Sequence, residues 1–198
     1  SALMAKVVSP YSPTKMGAGK RFSKPSSNYV LGTDEFGRDM LSRILHGSRL
    51  TLMIGATAVG ISLSTGMFIG LIAAYRKGVL EQILMRGTDV LFSFTETLIA
   101  LSCVAVLGPS LENAVIAVGI AGIPYYARIC YSAALVESSK PYYEACITCG
   151  AGHFRLIVYH LLPNVLPTMI VVSTLGVSTA ILAAAGLSFL GVGAQPPL

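Results

Sequence analysis

Two long stretches of this chain, 50–75 and 165–198, contain no charged residue at all. A helix needs about 20 predominantly apolar residues to cross a hydrocarbon core of roughly 30 Å, and both stretches are long enough. Two more candidates lie between them. Residues 90–107 are apolar apart from Thr95, Glu96, Thr97 and scattered Ser or Cys, and 114–135 are apolar as far as Arg128. The pattern therefore predicts four spans at about 50–75, 89–108, 113–135 and 165–190. None of the four carries the charged face that an amphipathic helix of a soluble protein would show.

Shorter patterns fill the gaps. Residues 1–8 are apolar apart from Lys6, then Pro10 and Pro13 intervene, so 1–30 reads as the tail of an earlier span followed by a polar loop. Residues 31–49 read as an amphipathic surface helix capped by Thr33 or Asp34. Phe36, Met40, Leu41, Ile44 and Leu45 share one face of it, and Arg38, Asp39, Arg43 and His46 lie largely opposite. Residues 50–198 then form the membrane domain, interrupted by a polar loop at 136–164. Within that loop a short helix is predicted from about residue 139–141, where Pro141 suits a first turn, to Gly150, which suits a left-handed C′ position. Small residues recur at every fourth position in two spans: Ser62, Gly66, Gly70 and Ala74 in one, Gly176, Ala180, Ala184 and Ser188 in another. Such faces let helix backbones approach closely in lipid. Gly119, Gly122 and Pro124 predict a kink in the third span.

Composition agrees with the pattern. Of 198 residues, 54% are hydrophobic and 12% charged, against about 25% charged in soluble domains, and the mean hydropathy is +0.70. The chain is all-α and membrane-embedded. Its net charge of +5 fits basic loops near lipid head groups, and no basic run interleaved with aromatics points to nucleic acid. Arg76, Lys77 and Arg86 stand opposite an uncharged 108–110 turn, which places 76–88 and 136–164 in the cytoplasm by the positive-inside rule.

Candidate chemistry is sparse. Gly17-Ala-Gly-Lys20 imitates a phosphate loop, but Thr14 stands in place of its first glycine and Arg21 in place of the final Ser or Thr. Cys146 and Cys149 form a lone C-x-x-C without a second pair, and His46, His153 and His160 have no metal-ligand spacing. No metal site and no catalytic residue is expected. Glu96 inside a span is a functional hypothesis by default. Arg128 on the next antiparallel span comes out at similar depth. The two form a structural pair, or Glu96 lines a pathway, or it snorkels to the interface.

The 136–164 loop is the most informative segment. Tyr143-Glu-Ala145, then Gly150, then His160-Leu-Leu-Pro-Asn164 closely resembles the EAA loop of bacterial ABC importer permeases. Three further segments resemble the second permease of dipeptide, oligopeptide and nickel importers: Leu31-Gly-Thr-Asp-Glu-Phe-Gly-Arg-Asp39 with Leu41-Ser-Arg43, Leu107-Gly-Pro-Ser110, and Leu187-Ser-Phe-Leu-Gly191 with Gln195-Pro-Pro197. The resemblance covers about 30–198. It implies a type I ABC importer helical bundle with about four to five spans here, one further span before residue 1 and one after Leu198, and 9–49 outside. It also implies a bacterial inner membrane location, a partner permease, two ATPase subunits and an extracytoplasmic binding protein. ATP and Mg would be bound by the ATPases and no cofactor by this chain. By the same resemblance Tyr143, Glu144, Ala145, Cys146, Gly150 and Ala151 would be the ATPase-coupling residues. The chain departs from the family where it reads Phe94-Thr-Glu96 in place of Phe-Pro, and at Ala184 and Gly186, where the family usually has Glu and Ser. Two other classes fit the bare residues: a secondary transporter driven by an ion gradient, and a membrane scaffold without a pathway.

Overall fold

A computed structural model describes residues 21–26 and 29–191; the apolar stretch at 1–8, the phosphate-loop imitation and 192–198 lie outside them. The chain divides into two compact units, 1–54 with 196–198, and 55–195.

The described part of the first unit is a tight turn leading into a helix. Gly32 and Gly37 take positive φ, 77° and 70°, a region open to glycine but costly for side chains bearing a Cβ. Asp34 folds the turn: its Oδ1 accepts the Phe36 and Arg38 backbone N–H groups, each at 2.9 Å, and its Oδ2 meets Arg43 Nη1 at 2.6 Å. Burial raises the Asp34 pKa, but those N–H groups and the guanidinium outweigh it and hold the carboxyl below its usual range. The helix predicted over 31–49 therefore begins only at Met40, and neither Thr33 nor Asp34 caps it. Asp39 does so, accepting from the Ser42 backbone N–H at 3.0 Å and from the Ser42 hydroxyl at 2.5 Å. From Met40 the helix, α1, runs without interruption to Tyr75, 36 residues. The separate surface helix and first span of the sequence reading are one element.

In the second unit follow α2 (Val79–Phe92), α3 (Glu96–Leu107), α4 (Leu111–Ala121), α5 (Ile123–Ser138), α6 (Pro141–Thr148), the single turn α7 (His153–Arg155), a π-helical segment Leu156–Leu161, and α8 (Leu162–Phe189). Three helical runs are long and apolar enough to cross a membrane: Met40–Tyr75, Leu111–Ser138 and His153–Phe189. A bent pair, α2 with α3, makes a fourth if counted as one span.

That bent pair corrects the span predicted at 89–108. Its two halves meet at 91°, and neither 14 nor 12 residues reaches the roughly 30 Å needed, at about 1.5 Å per residue. The break falls at Ser93, Phe94 and Thr95. Ser93 Oγ bonds back to the Asp89 carbonyl at 2.9 Å, and Thr95 takes an extended conformation as the N-cap of α3, the competition with helical bonding that Ser and Thr offer. The 76–88 loop is helical from Val79 because its charges are answered. One Glu81 oxygen accepts the Gly78 N–H at 3.1 Å and the other accepts the Tyr131 hydroxyl on α5.

The core is built from small residues. Ser62, Gly66, Gly70 and Ala74 of α1 are all buried, and α4 and α5 pack on them. Ser62 Oγ donates to the Gly119 carbonyl at 2.6 Å. A Cβ at Gly66 would stand 2.8 Å from the Ala127 nitrogen, and one at Gly70 2.6 Å from the Ala127 oxygen. The second small-residue face is only partly covered: Ala180 is buried, while Gly176, Ala184 and Ser188 are half-buried. The predicted kink is an interruption at Gly122, with Pro124 in the first turn of α5. Pro163 and Pro167 lie within the α8 run. Pro163 cannot donate to the carbonyl four residues back, and the wider π winding stands immediately before it.

Arg128 pairs with Asp89 of α2 at 2.9 Å; the expected pairing with Glu96 does not form. We expect Arg128→Asp alone to lower the amount of assembled protein, because it sets two carboxylates together in a span. The double change Asp89→Arg with Arg128→Asp should recover most of it, read by detergent-extracted yield and size-exclusion profile. A Glu96→Arg partner should give no recovery.

Candidate functional site: the 136–164 segment

The predicted short helix is α6, and its end is set by hydrogen bonding local to the sequence. Gly150 has φ 78°. Its N–H bonds to the Ile147 carbonyl at 2.9 Å, and the Ala151 N–H bonds to the Cys146 carbonyl at 3.1 Å. These are the two bonds of a Schellman motif. At the other end Pro141 occupies the first turn, where its missing N–H costs nothing.

A polar cluster ties α6 to its neighbours. Glu137, in the last turn of α5, is 7% exposed. Lys140 Nζ approaches its Oε2 at 2.6 Å, and the Tyr142 hydroxyl donates to its Oε1. Asn164 Nδ2 donates to the Tyr142 hydroxyl oxygen at 3.3 Å and to the His160 carbonyl at 2.6 Å, which joins α6 to α8. At the same end of the bundle Tyr75, closing α1, bonds His153 of α7, their rings edge to face with centroids 5.6 Å apart. These bonds tie α6 to both α5 and α8.

The six residues singled out from the sequence divide by exposure. Glu144, Ala145 and Gly150 are exposed, Cys146 and Ala151 are half-buried, and Tyr143 is buried at 6%. Tyr143 therefore anchors α6 from below, and the side turned away from it presents Glu144, Ala145, Thr148 and Cys149, with Ile147 exposed at its edge. Cys146 Sγ stands 3.9 Å from His160 Nδ1. Beside α6 a groove of about 740 Å³ is lined by Arg76, Lys77, Glu144, Ile147 and His153 among others. Sequence reasoning missed Glu137 and Lys140 as members of the site. Their i, i+3 spacing at a helix end was the available signal. Among the described residues no group of three or more His, Cys, Asp or Glu could hold a metal ion.

The Tyr142 hydroxyl is pushed up to about 12 by burial and then by its bond to the Glu137 carboxylate. An unfolded tyrosine ionises near 10. The folded state thus holds this proton more tightly, so the contribution is complete below about pH 10 and is lost as the pH rises toward 12. Tyrosinate absorbance together with protease cleavage in 149–152 should show α6 loosening across that window, and Tyr142→Phe should abolish this pH dependence.

A model of the family described as binding-protein-dependent transport system inner membrane component matches residues 66–198. The chain belongs to this family. The match takes in the end of α1 from Gly66 and every later element, including α6, the Schellman turn and the Asn164 link. This inner membrane component is a multi-pass transport permease, and its family is not an enzyme family. Across 202 residues it is 42% identical to the di/tripeptide transport system permease protein of Pseudomonas aeruginosa, covering 99% of this chain and 67% of the relative. It is 39% identical over 197 residues to the dipeptide transport system permease protein of Alkalihalophilus pseudofirmus, covering 100% and 65%. It is 40% identical over 174 residues to the glutathione transport system permease protein of Pectobacterium atrosepticum, covering 88% and 58%. The chain spans about two thirds of the length of the dipeptide relatives it matches.

Proposed function

We propose that this chain is the membrane-spanning permease subunit of an ATP-driven importer, that it passes peptides or peptide-like solutes inward, and that α6 is the element through which a partner ATPase moves it. The observation that carries the reading is mechanical: α6 offers a free face of Glu144, Ala145, Thr148 and Cys149, while its opposite side is fixed to α5 and α8 through Tyr143, Glu137 and Asn164. A helix held in this way transmits a push. In this reading 136–164 is cytoplasmic, and α6 sits in a cleft of one of two ATPase subunits. Those subunits bind ATP and Mg and carry the hydrolysis. A second permease completes the pathway, and an extracytoplasmic binding protein delivers the solute. Peptides are the proposed solute class because the relatives named above are di/tripeptide, dipeptide and glutathione transport proteins. Nickel and metal chelates have no such support among them.

The test is capture. The tagged chain, extracted from its own membrane, should co-elute with an ATP-hydrolysing subunit. Glu144→Arg should remove most of that subunit while leaving the permease monodisperse, because it reverses charge at the free face and touches none of the anchoring bonds. Uptake that continues without any ATPase and collapses with the proton gradient would overturn the reading in favour of an ion-coupled carrier.

A further inference from the structure

The bend between α2 and α3 opens a polar spot inside the membrane domain. Leu91 through Leu98 are exposed without exception, and Glu96, first residue of α3, borders two cavities. One, of about 180 Å³, is lined by Phe92, Phe94, Glu96 and Tyr125 with apolar neighbours. The other, of about 210 Å³, is lined by Ser62, Glu96, Tyr125, Tyr126 and Thr179 among others. Glu96 and Tyr125 are common to both. Arg128, the cation nearest in the sequence reading, is taken by Asp89, and no Lys, Arg or His lines either cavity. Among the described residues the one formal charge lining this space is therefore negative. The positive end of α3's dipole makes a carboxylate tenable at its first residue.

A second observation points the same way. Tyr126 is 3% exposed, and its hydroxyl has no hydrogen-bond partner among the described residues. It lies against Gly176, where a Cβ would collide with it. A buried hydroxyl costs free energy unless it is paired, and Tyr126 is one of the residues that enclose the second Glu96 cavity.

We propose that Glu96, with Phe92, Phe94 and Tyr125 around the same cavity, forms a subsite for the ammonium group of the transported solute. The chemistry selects an organic ammonium over a bare metal cation. A single carboxylate gives a charge-assisted bond to N–H, and aromatic faces within reach attract a diffuse cation, whereas a divalent metal needs several oxygen or nitrogen ligands. Peptides carry that group at their N-terminus. The proposal rests on the importer reading above but concerns a different part of the molecule.

The test uses the assembled transporter in lipid nanodiscs, treated with a water-soluble carbodiimide and glycine methyl ester, with modification of Glu96 read by mass spectrometry. Glu96 should be modified. A mixture of C-amidated di- and tripeptides with free amino termini should suppress total modification of Glu96, counting glycine methyl ester and peptide adducts together, roughly tenfold, while the same mixture N-acetylated should not. Tyr125→Leu should weaken the suppression. Glu96 left unmodified, or protected equally by both mixtures, overturns the subsite. Failure of the importer reading would look different: ATP-dependent uptake of every peptide would be absent from wild-type vesicles, whatever the labelling experiment shows.

Discussion

Gly70→Ala is expected to destabilise the membrane domain by about 1–3 kcal/mol, the range for overpacking a filled core. The added methyl would stand 2.6 Å from the Ala127 oxygen, 2.8 Å from Cys130 Cβ and 2.8 Å from the Tyr131 nitrogen. Two of those three neighbours are backbone, so no rotamer change relieves the clash and α1 must move away from α5. In lipid that separation exposes no water, but it forfeits the dispersion contacts and the Ser62 bond to Gly119 that hold the helices together. Gly60→Ala on the same helix is the matched comparison. A Cβ there meets nothing within 4 Å, and replacing a mid-helix glycine gains roughly 0.5–1 kcal/mol. Thermal unfolding in detergent should move in opposite directions for the two variants. Equal shifts would mean that the α1 face does not pack as described.

Glu137→Ala should uncouple the subunit while leaving it able to hold a partner. The change removes the acceptor of the Tyr142 hydroxyl and the counter-charge of Lys140 together. Hydrogen bonds to charged groups are worth about 1.5–3 kcal/mol, but Lys140 is half exposed and its share is small. A loss of about 2 kcal/mol in the attachment of α6 follows, enough to lower transport by roughly tenfold or more. The free face at Glu144 and Ala145 is untouched, so ATPase capture should persist and ATP hydrolysis should continue without matching uptake. Glu137→Gln keeps a hydrogen-bond acceptor for Tyr142 and should recover part of the transport. Loss of capture in Glu137→Ala would show that α6 needs this cluster to fold and not only to transmit force.

Much of the candidate site was legible along the chain because its determinants are local. Gly150 ends α6 through bonds reaching no further than five residues back, to Cys146, and Pro141 begins it by what it lacks. Which side of α6 faces outward was not legible. Eight residues make little more than two turns, and small shifts in rotation exchange Tyr143 with its neighbours. The same limit explains Arg128. Glu96 and Asp89 are both carboxylates within reach on the preceding segment, and only the 91° bend decides between them.

The sequence by itself determined that the chain lives in a bilayer, that its helices meet through small residues, and that a capped helix interrupts the spans at 141–150. Charge density, fourfold spacing and turn chemistry are properties of neighbours along the chain, and they survive whatever the fold does. Tertiary structure decided the rest: that Asp39 and not Asp34 starts α1, that the predicted second span breaks at Ser93, Phe94 and Thr95, and that Glu96 is left without Arg128 beside two cavities. Each is a choice among partners of similar chemistry. Such choices turn on distances across helices, and those distances exist only once the helices have packed.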